Sequence, residues 1–181
     1  MAYDQQRADL SLNDTRKGVP YIPVADSAWV EKTIKMALKD IDADKIMLGV
    51  ATYGAEWELT VAPDWFKEYK KLWALNPVYA KDTAKKKKVT QTRNSAGELG
   101  FTYLPNSSLK TVGTYSVPAG TDKANKAAAQ ALAYANDTGN TTVVHVISWS
   151  DAEAIAEKIA LAKKYNLKGI SIFKIDGGED K

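Results

Sequence analysis

Lys45-Ile46-Met47-Leu48-Gly49-Val50-Ala51-Thr52-Tyr53-Gly54 is a nearly continuous apolar run of strand length, closed by an aromatic residue and a glycine. A run without polar alternation suits a strand covered on both faces, as in a parallel sheet. The residues before it read as a helix over about 27–40: Val30, Ile34, Ala37, Leu38 and Ile41 recur at helical spacing, and Asp26 or Ser27 can cap its start. The same order returns near the end of the sequence. Ser150-Asp151-Ala152-Glu153 has the form of a capping box, Ala152, Ile155, Ala156, Ile159 and Ala160 line one helical face, and Asn166 can take the left-handed conformation that ends a helix. Gly169-Ile170-Ser171-Ile172-Phe173-Lys174-Ile175-Asp176 follows as a second short strand. Helix, tight loop and apolar strand, occurring twice, specify an α/β protein with parallel strands.

The sequence between these units has another texture. Val89–Arg93 and Glu98–Tyr103 flank Asn94-Ser95-Ala96-Gly97 and read as a β-hairpin, Asp122–Tyr134 as a short helix, and Thr142–Trp149 as a strand. An α+β insertion is therefore expected between the two α/β units. Among 181 residues, 45% are hydrophobic and 26% charged, a composition that forms a core and excludes a disordered acidic or low-complexity chain. The 25 basic and 22 acidic side chains leave a net charge of +3, too small to argue for nucleic acid as a partner. With no cysteine there is no disulfide framework, thiolate metal site or cysteine nucleophile. No apolar run approaches the roughly 18 residues of a membrane span.

Met1-Ala2-Tyr3-Asp4, the Lys45–Gly54 run, the insertion after it and the closing Ser150–Asp176 unit stand in the order found in glycoside hydrolase family 18, and the chain resembles the C-terminal part of such a catalytic domain, in its chitinase-like and spore-cortex-lysin-like branch. The resemblance implies part of a (β/α)8 barrel: Met1–Asp4 as strand six, Ile46–Tyr53 as strand seven and Ile170–Ile175 as strand eight. Residues 1–59 would carry strands six and seven, 60–149 the insertion domain, and 150–181 the last helix and strand. A closed barrel usually takes about 250 residues, so strands one to five are expected to lie upstream, and an open remnant would expose an apolar face.

The family's catalytic signature, Asp-x-x-Asp-x-Asp-x-Glu, does not occur here. Asp40-Ile41-Asp42-Ala43-Asp44 superficially resembles it but lacks the glutamate and falls in a helix-to-strand loop, so no catalytic residue is assigned to this chain. The resemblance implies a parent that hydrolyses, or in an inactive lectin-like relative only binds, N-acetylglucosamine-containing glycans such as chitin or peptidoglycan. In that family the substrate's own 2-acetamido oxygen attacks the anomeric carbon, an exception to the two-carboxylate scheme. It requires no metal or other cofactor. The resemblance also implies an extracellular or cell-wall location for the parent.

By the same resemblance Tyr3 would hydrogen-bond the acetamido group, Asp4 would contact the sugar, and Met1 would lie in the floor beneath them. Phe173 would stand at the hydrophobic base of the cleavage subsite, where a tryptophan is usual, and Tyr53 is a candidate sugar-stacking platform near the cleft. Ala55 stands where many chitinases carry an arginine. Trp57, in the loop after strand seven, is the candidate sugar platform, whereas Trp65 and Trp73 are expected in the core of the insertion. Lys85-Lys86-Lys87-Lys88 reads as a solvated loop face, His145 as a structural imidazole, and Asp176-Gly177-Gly178-Glu179-Asp180 as a strand terminus with a glycine loop.

Overall fold

A computed structural model describes residues 1–5, 19–106 and 109–175. The apolar runs pair as the sequence implies. Strand β1 (Met47–Ala51) lies parallel to β7 (Gly169–Phe173), with Met47 opposite Gly169 and Ala51 opposite Phe173. Helices α1 (Ser27–Ala37) and α4 (Ala152–Lys164) pack on this pair, and Val30, Ile34, Leu48, Val50 and Ala162 form its core. β1 is covered as expected except at Met47, its first residue, but β7 is not: Ile172 and Phe173 are 44% and 51% exposed.

Met1–Gln5 runs along the other edge of β1, where the Ala2 N–H donates to the Gly49 carbonyl at 3.3 Å. The approach is close enough that a Cβ on Gly49 would lie 3.0 Å from Met1 Cα and 3.2 Å from the Tyr3 ring. The segment forms no strand, in contrast to the expectation for Met1–Asp4. Asp4 adopts the left-handed conformation (φ 57°), which turns the chain out of an extended ladder. The Gln5 N–H then bonds the Val24 carbonyl at 2.9 Å.

Residues 54–149 form a separate five-stranded antiparallel sheet in the order β3-β2-β6-β5-β4. Its strands are β2 (Gly54–Ala62), β3 (Trp65–Leu75), β4 (Thr92–Arg93), β5 (Leu99–Tyr103) and β6 (Thr142–Trp149). Alternation along β6 supplies both faces. Val144 and Val146 join Trp57, Leu59 and Val61 under helix α3 (Lys126–Thr138), which presents Ala128, Ala131 and Ala135. Ile147 and Trp149 join Leu75 and Phe101 under helix α2 (Pro77–Lys87), which presents Ala80 and Ala84. The chain enters this sheet directly from β1. A Cβ on Gly54 would stand 2.4 Å from the Ser148 carbonyl oxygen and 2.4 Å from Trp149 Cβ, so only glycine fits where β2 leaves the parallel pair.

Several boundaries differ from the sequence reading. Asp26 caps α1, accepting from Ala28 N at 2.7 Å and Trp29 N at 3.2 Å. At α4 the expected box from Ser150 to Glu153 does not form. The Ser150 N–H still bonds the Tyr53 carbonyl at 3.4 Å, so the chain has not yet left the sheet, and Asp151 takes the capping role on Ala154 N at 3.1 Å. Glu153 instead pairs with Arg93 at 2.8 Å. Asn166 has the expected positive φ, 50°. The helix expected over Asp122–Tyr134 begins as a short 3-10 turn at Lys123–Asn125 and runs on to Thr138, where Gly139 closes it at φ 71°. The lysine run is not a loop: Lys85–Lys87 form the exposed last turn of α2, and Lys88 ends it in the left-handed conformation. Lys87 is held there by the Pro105 carbonyl at 3.3 Å and by the Tyr103 ring, 4.7 Å from its ammonium. The segment Asp176–Asp180 lies outside the described residues. No helix among the described residues is long and apolar enough to cross a membrane.

Candidate functional site

The C-terminal ends of β1 and β7 bring Tyr3, Asp4, Tyr53 and Phe173 together. Phe173 is the last residue of β7, and its carbonyl accepts from Thr52 N at 3.0 Å, which fixes Tyr53 one residue later. The Thr52 hydroxyl bonds the Lys174 carbonyl, across a cis Phe173–Lys174 peptide. The Tyr3 and Phe173 rings stack with centroids 5.9 Å apart and planes 8° apart. Tyr53 stands edge-on to both, at 6.1 Å from Tyr3 and 6.2 Å from Phe173. Such geometry aligns ring edges with ring faces and holds the cluster in one arrangement.

The polar atoms of this cluster are ordered from within. The Tyr53 hydroxyl donates to Asp4 Oδ1 at 2.5 Å. Burial, followed by the neighbouring Asp4 carboxylate, pushes the Tyr53 hydroxyl well above its ordinary value, so it remains the donor of that bond at neutral pH. Among the described residues, the second oxygen of Asp4 meets no donor. The Tyr3 hydroxyl meets, among the described residues, only a weak acceptor, Met1 Sδ at 2.9 Å, which it can exchange for a carbonyl oxygen. Met1 itself is 93% exposed, so it is no floor to the site and serves as a contact for Tyr3.

A cleft of about 460 Å³ opens in front of the cluster. Asp4, Tyr53, Phe173 and Lys174 bound it on one side, and Lys71, Ala74, Leu75 and Asn76 bound it on the other. The second wall comes from the end of β3 and the start of α2. Asn76 caps α2 through Oδ1, which accepts from Tyr79 N at 2.9 Å, and this leaves its NH2 group as a donor. The Asn76-Pro77 dipeptide carries a helix-start signal, since asparagine caps and proline suits the first helical position, so this wall could have been found from the sequence. Nothing in the pattern around Lys71 marks that residue.

The tryptophans are distributed opposite to expectation. Trp57 is 6% exposed and lies within β2 under α3, not in a loop, so it is a core residue and does not join the cleft. Trp65 and Trp73, expected in the core, are 40% and 49% exposed. Both lie on β3, an edge strand, and Trp73 rests edge-on against Tyr79 at 5.9 Å. The Asp40–Asp44 stretch is an exposed turn with a local Lys45–Asp42 pair at 2.5 Å, away from the cleft.

His145 belongs to a closed cluster on the α2 face. Its Nδ1 lies 2.8 Å from Glu56 Oε1, and its Nε2 lies 3.5 Å from Glu58 Oε2. Glu56 also accepts from the Tyr103 hydroxyl and from the Tyr79 hydroxyl at 3.1 Å. Burial would raise the Glu56 pKa, but the bonds from His145, Tyr103 and Tyr79 outweigh it and hold the carboxyl below the ordinary range. The imidazole is thus a structural one.

Comparison with known proteins places the chain in a family. The model of the glycosyl hydrolases family 18 matches residues 2–178. The uncharacterized glycosylase YvbX of Bacillus subtilis (strain 168) is 20% identical over 154 residues, covering 84% of this chain and 33% of YvbX. The Bacillus cereus spore cortex-lytic enzyme SleL superposes with a TM-score of 0.60 at 22% identity, over 98% of this chain and 31% of SleL. A chitinase from Chromobacterium violaceum superposes with a TM-score of 0.60 at 19% identity, over 100% of this chain and 41% of the chitinase. The chain thus spans between about a third and two fifths of the length of these relatives. With the α/β fold, the convergent Tyr3, Asp4, Tyr53 and Phe173 and a family match across nearly its whole length, the chain belongs to glycosyl hydrolase family 18.

Proposed function

We propose that this chain supplies the sugar-holding C-terminal part of a family 18 catalytic domain whose parent acts on N-acetylglucosamine-containing glycans. In this reading β1 and β7 are barrel strands seven and eight, the Met1–Asp4 segment beside β1 takes the place of strand six without forming one here, and the sheet of residues 54–149 is the insertion domain. The observation that carries it is the meeting of Tyr3, Asp4, Tyr53 and Phe173 at one mouth of the parallel strands, where barrel enzymes build their sites. The Tyr3 hydroxyl leaves the Met1 sulfur and donates to the acetamido carbonyl. The free oxygen of Asp4 accepts from the same sugar, and Tyr53 holds Asp4 in place. The exposed face of Phe173 stacks on the ring.

Hydrolysis by the parent follows the substrate-assisted route: the acetamido oxygen closes on the anomeric carbon while an acid protonates the leaving oxygen. The motif that carries this acid is absent from these 181 residues, so the contribution of this chain is to position the acetamido group. General acid catalysis is typically worth about 10²–10⁴-fold, and that factor belongs to residues outside this sequence. Binding is therefore the activity to measure on the chain itself. The names of two relatives, a spore cortex-lytic enzyme and a chitinase, support peptidoglycan or chitin as the glycan and an extracellular or cell-wall setting.

Replacing Tyr3 with phenylalanine tests the assignment, because it removes the hydroxyl and keeps the stacked ring. The substitution is expected to weaken binding of a chitin oligomer about fivefold, the worth of one net hydrogen bond, measured by calorimetry on the full chain. Binding of a β-1,4-linked glucose oligomer, with a hydroxyl in place of each acetamido group, should not respond. An equal loss for both sugars would remove the acetamido role from Tyr3.

A further inference from the structure

The carboxylate that enters the cleft sits on a turn held between two anchors. Asp4 has φ 57°, a conformation that a residue other than glycine keeps only where its surroundings enforce it. On the upstream side the Ala2 N–H donates to the Gly49 carbonyl at 3.3 Å. On the downstream side Gln5 makes two bonds to one segment: its N–H donates to the Val24 carbonyl at 2.9 Å, and its side-chain Oε1 accepts from Asp26 N at 2.9 Å. In a parallel ladder the residue that donates to Val24 would also accept the Asp26 N–H through its own carbonyl. Here the amide side chain supplies that acceptor, so the grip on the segment is kept although Met1–Gln5 forms no strand.

The segment that Gln5 grips is fixed from several sides. Val24, Ala25 and Asp26 are buried. Glu98 accepts from Val24 N and Ala25 N, so Gln5 completes a run of three consecutive N–H groups satisfied by side chains from elsewhere in the chain. The Asp26 carboxylate is engaged as well, one oxygen capping α1 and the other accepting from the Tyr21 hydroxyl. A buried N–H left without an acceptor is costly, which gives the bond from Asp26 to Gln5 its weight. Among the described residues Asp4 lines the cleft and Gln5 does not.

We infer that Gln5 is a positioning residue for sugar binding: it touches no glycan, and by tying Asp4 to the buried Val24–Asp26 segment it keeps the Asp4 carboxylate on the Tyr53 hydroxyl and at the cleft. This deepens the sugar-holding reading above and rests on it.

Gln5→Met keeps the length of the side chain and removes its acceptor, whereas Gln5→Glu keeps an acceptor at the same reach. Two measurements on the full chain test the inference: the NMR signal of the Tyr53 ring carbon that bears the hydroxyl, without ligand, and the calorimetric affinity for a chitin oligomer. Asp4→Ala gives the position of that signal when the bond to Asp4 is absent. Gln5→Met is expected to carry the signal at least halfway to that position and to weaken oligomer binding roughly three- to tenfold, and Gln5→Glu should restore most of both. In the Asp4→Ala background Gln5→Met should change affinity by less than about twofold, because the carboxylate through which Gln5 acts is gone. Gln5→Asn, one methylene short of Asp26 N, should match Gln5→Met and replaces it if that variant does not fold. An unmoved Tyr53 signal, an unchanged affinity, or an equal affinity loss with and without Asp4 would overturn the role of Gln5, while wild-type binding would leave the sugar site standing. Failure of the wild-type chain to bind the oligomer would overturn the sugar-holding reading and this role with it.

Discussion

Replacing Glu98 with alanine is expected to destabilise the chain by about 3–5 kcal/mol, the usual cost of removing one member of a buried charged network. Glu98 is 0% exposed, in the hairpin that follows β4. It accepts from Val24 N at 3.0 Å, Ala25 N at 2.7 Å and the Ser148 hydroxyl at 3.4 Å. Nearby Lys158 is 3% exposed and donates to the Ser27 hydroxyl at 3.1 Å. Burial pushes the Glu98 carboxyl up and the Lys158 ammonium down, the penalty of taking each charge out of water. Alanine would orphan two backbone N–H groups and remove the largest of the carboxylate attractions on the buried Lys158, leaving it Glu157, Asp26 and Asp151.

Glutamine retains one acceptor oxygen, so Glu98→Gln should cost less, about 1–2 kcal/mol. Urea denaturation of the two variants checks both values. A loss under about 1 kcal/mol for alanine would mean that water replaces the carboxylate. The effect reaches the sugar site through the backbone. Glu98 anchors Val24 and Ala25 to the five-stranded sheet, Val24 accepts from Gln5 N at 2.9 Å, and Gln5 Oε1 accepts from Asp26 N at 2.9 Å. Asp4 precedes Gln5, so this contact between the two sheets also places the candidate sugar ligand.

Glu56→Ala should cause the second large loss, about 3–5 kcal/mol near neutral pH, because it leaves His145, Tyr103 and Tyr79 without their common acceptor in a nearly dry site. Glu56 is 1% exposed. Its carboxyl is held below the ordinary value of 4.5 in the folded chain, so as pH falls below that value the folded state keeps a charge that the unfolded state loses. The stabilisation is therefore present above the unfolded value and is lost as pH falls through the folded one. Urea denaturation at pH 7 and near pH 3 should give a wild-type-minus-variant difference that narrows on acidification. A difference that stays constant with pH would show that packing, not the ionised carboxylate, holds this face together.

What could be read from the sequence follows physical pattern. β1 and β7 declared themselves because a strand in a parallel pair is apolar throughout, and β6 because its two faces both meet helices. β3 did not. As an edge strand it alternates lysines and glutamate with Phe66, Tyr69 and Leu72, which dilutes the period that marks a half-buried strand. α2 was hidden by its lysines, which occupy its exposed last turn and read as a loop. The tryptophans misled because residue type alone does not distinguish an edge strand from an inner one: Trp57 in β2 is covered by α3, while Trp65 and Trp73 on β3 are not.

The cleft was half legible for the same reason. Tyr3, Asp4, Tyr53 and Phe173 carry the family pattern and converge in the structure. Lys71 and Asn76 reach the cleft only because β3 folds back along β2, with register shifts at Glu56/Trp57 and Thr60/Val61 that no local motif announces.

The central claim is that the chain holds N-acetylglucosamine at the mouth of its parallel strands. A titration of the isotope-labelled full chain with a chitin oligomer, followed by NMR, tests it most directly. Perturbations centred on Tyr3, Asp4, Tyr53 and Phe173 are the expected result. Perturbations centred instead on the exposed Trp65 and Trp73, with those four residues unmoved, would contradict it.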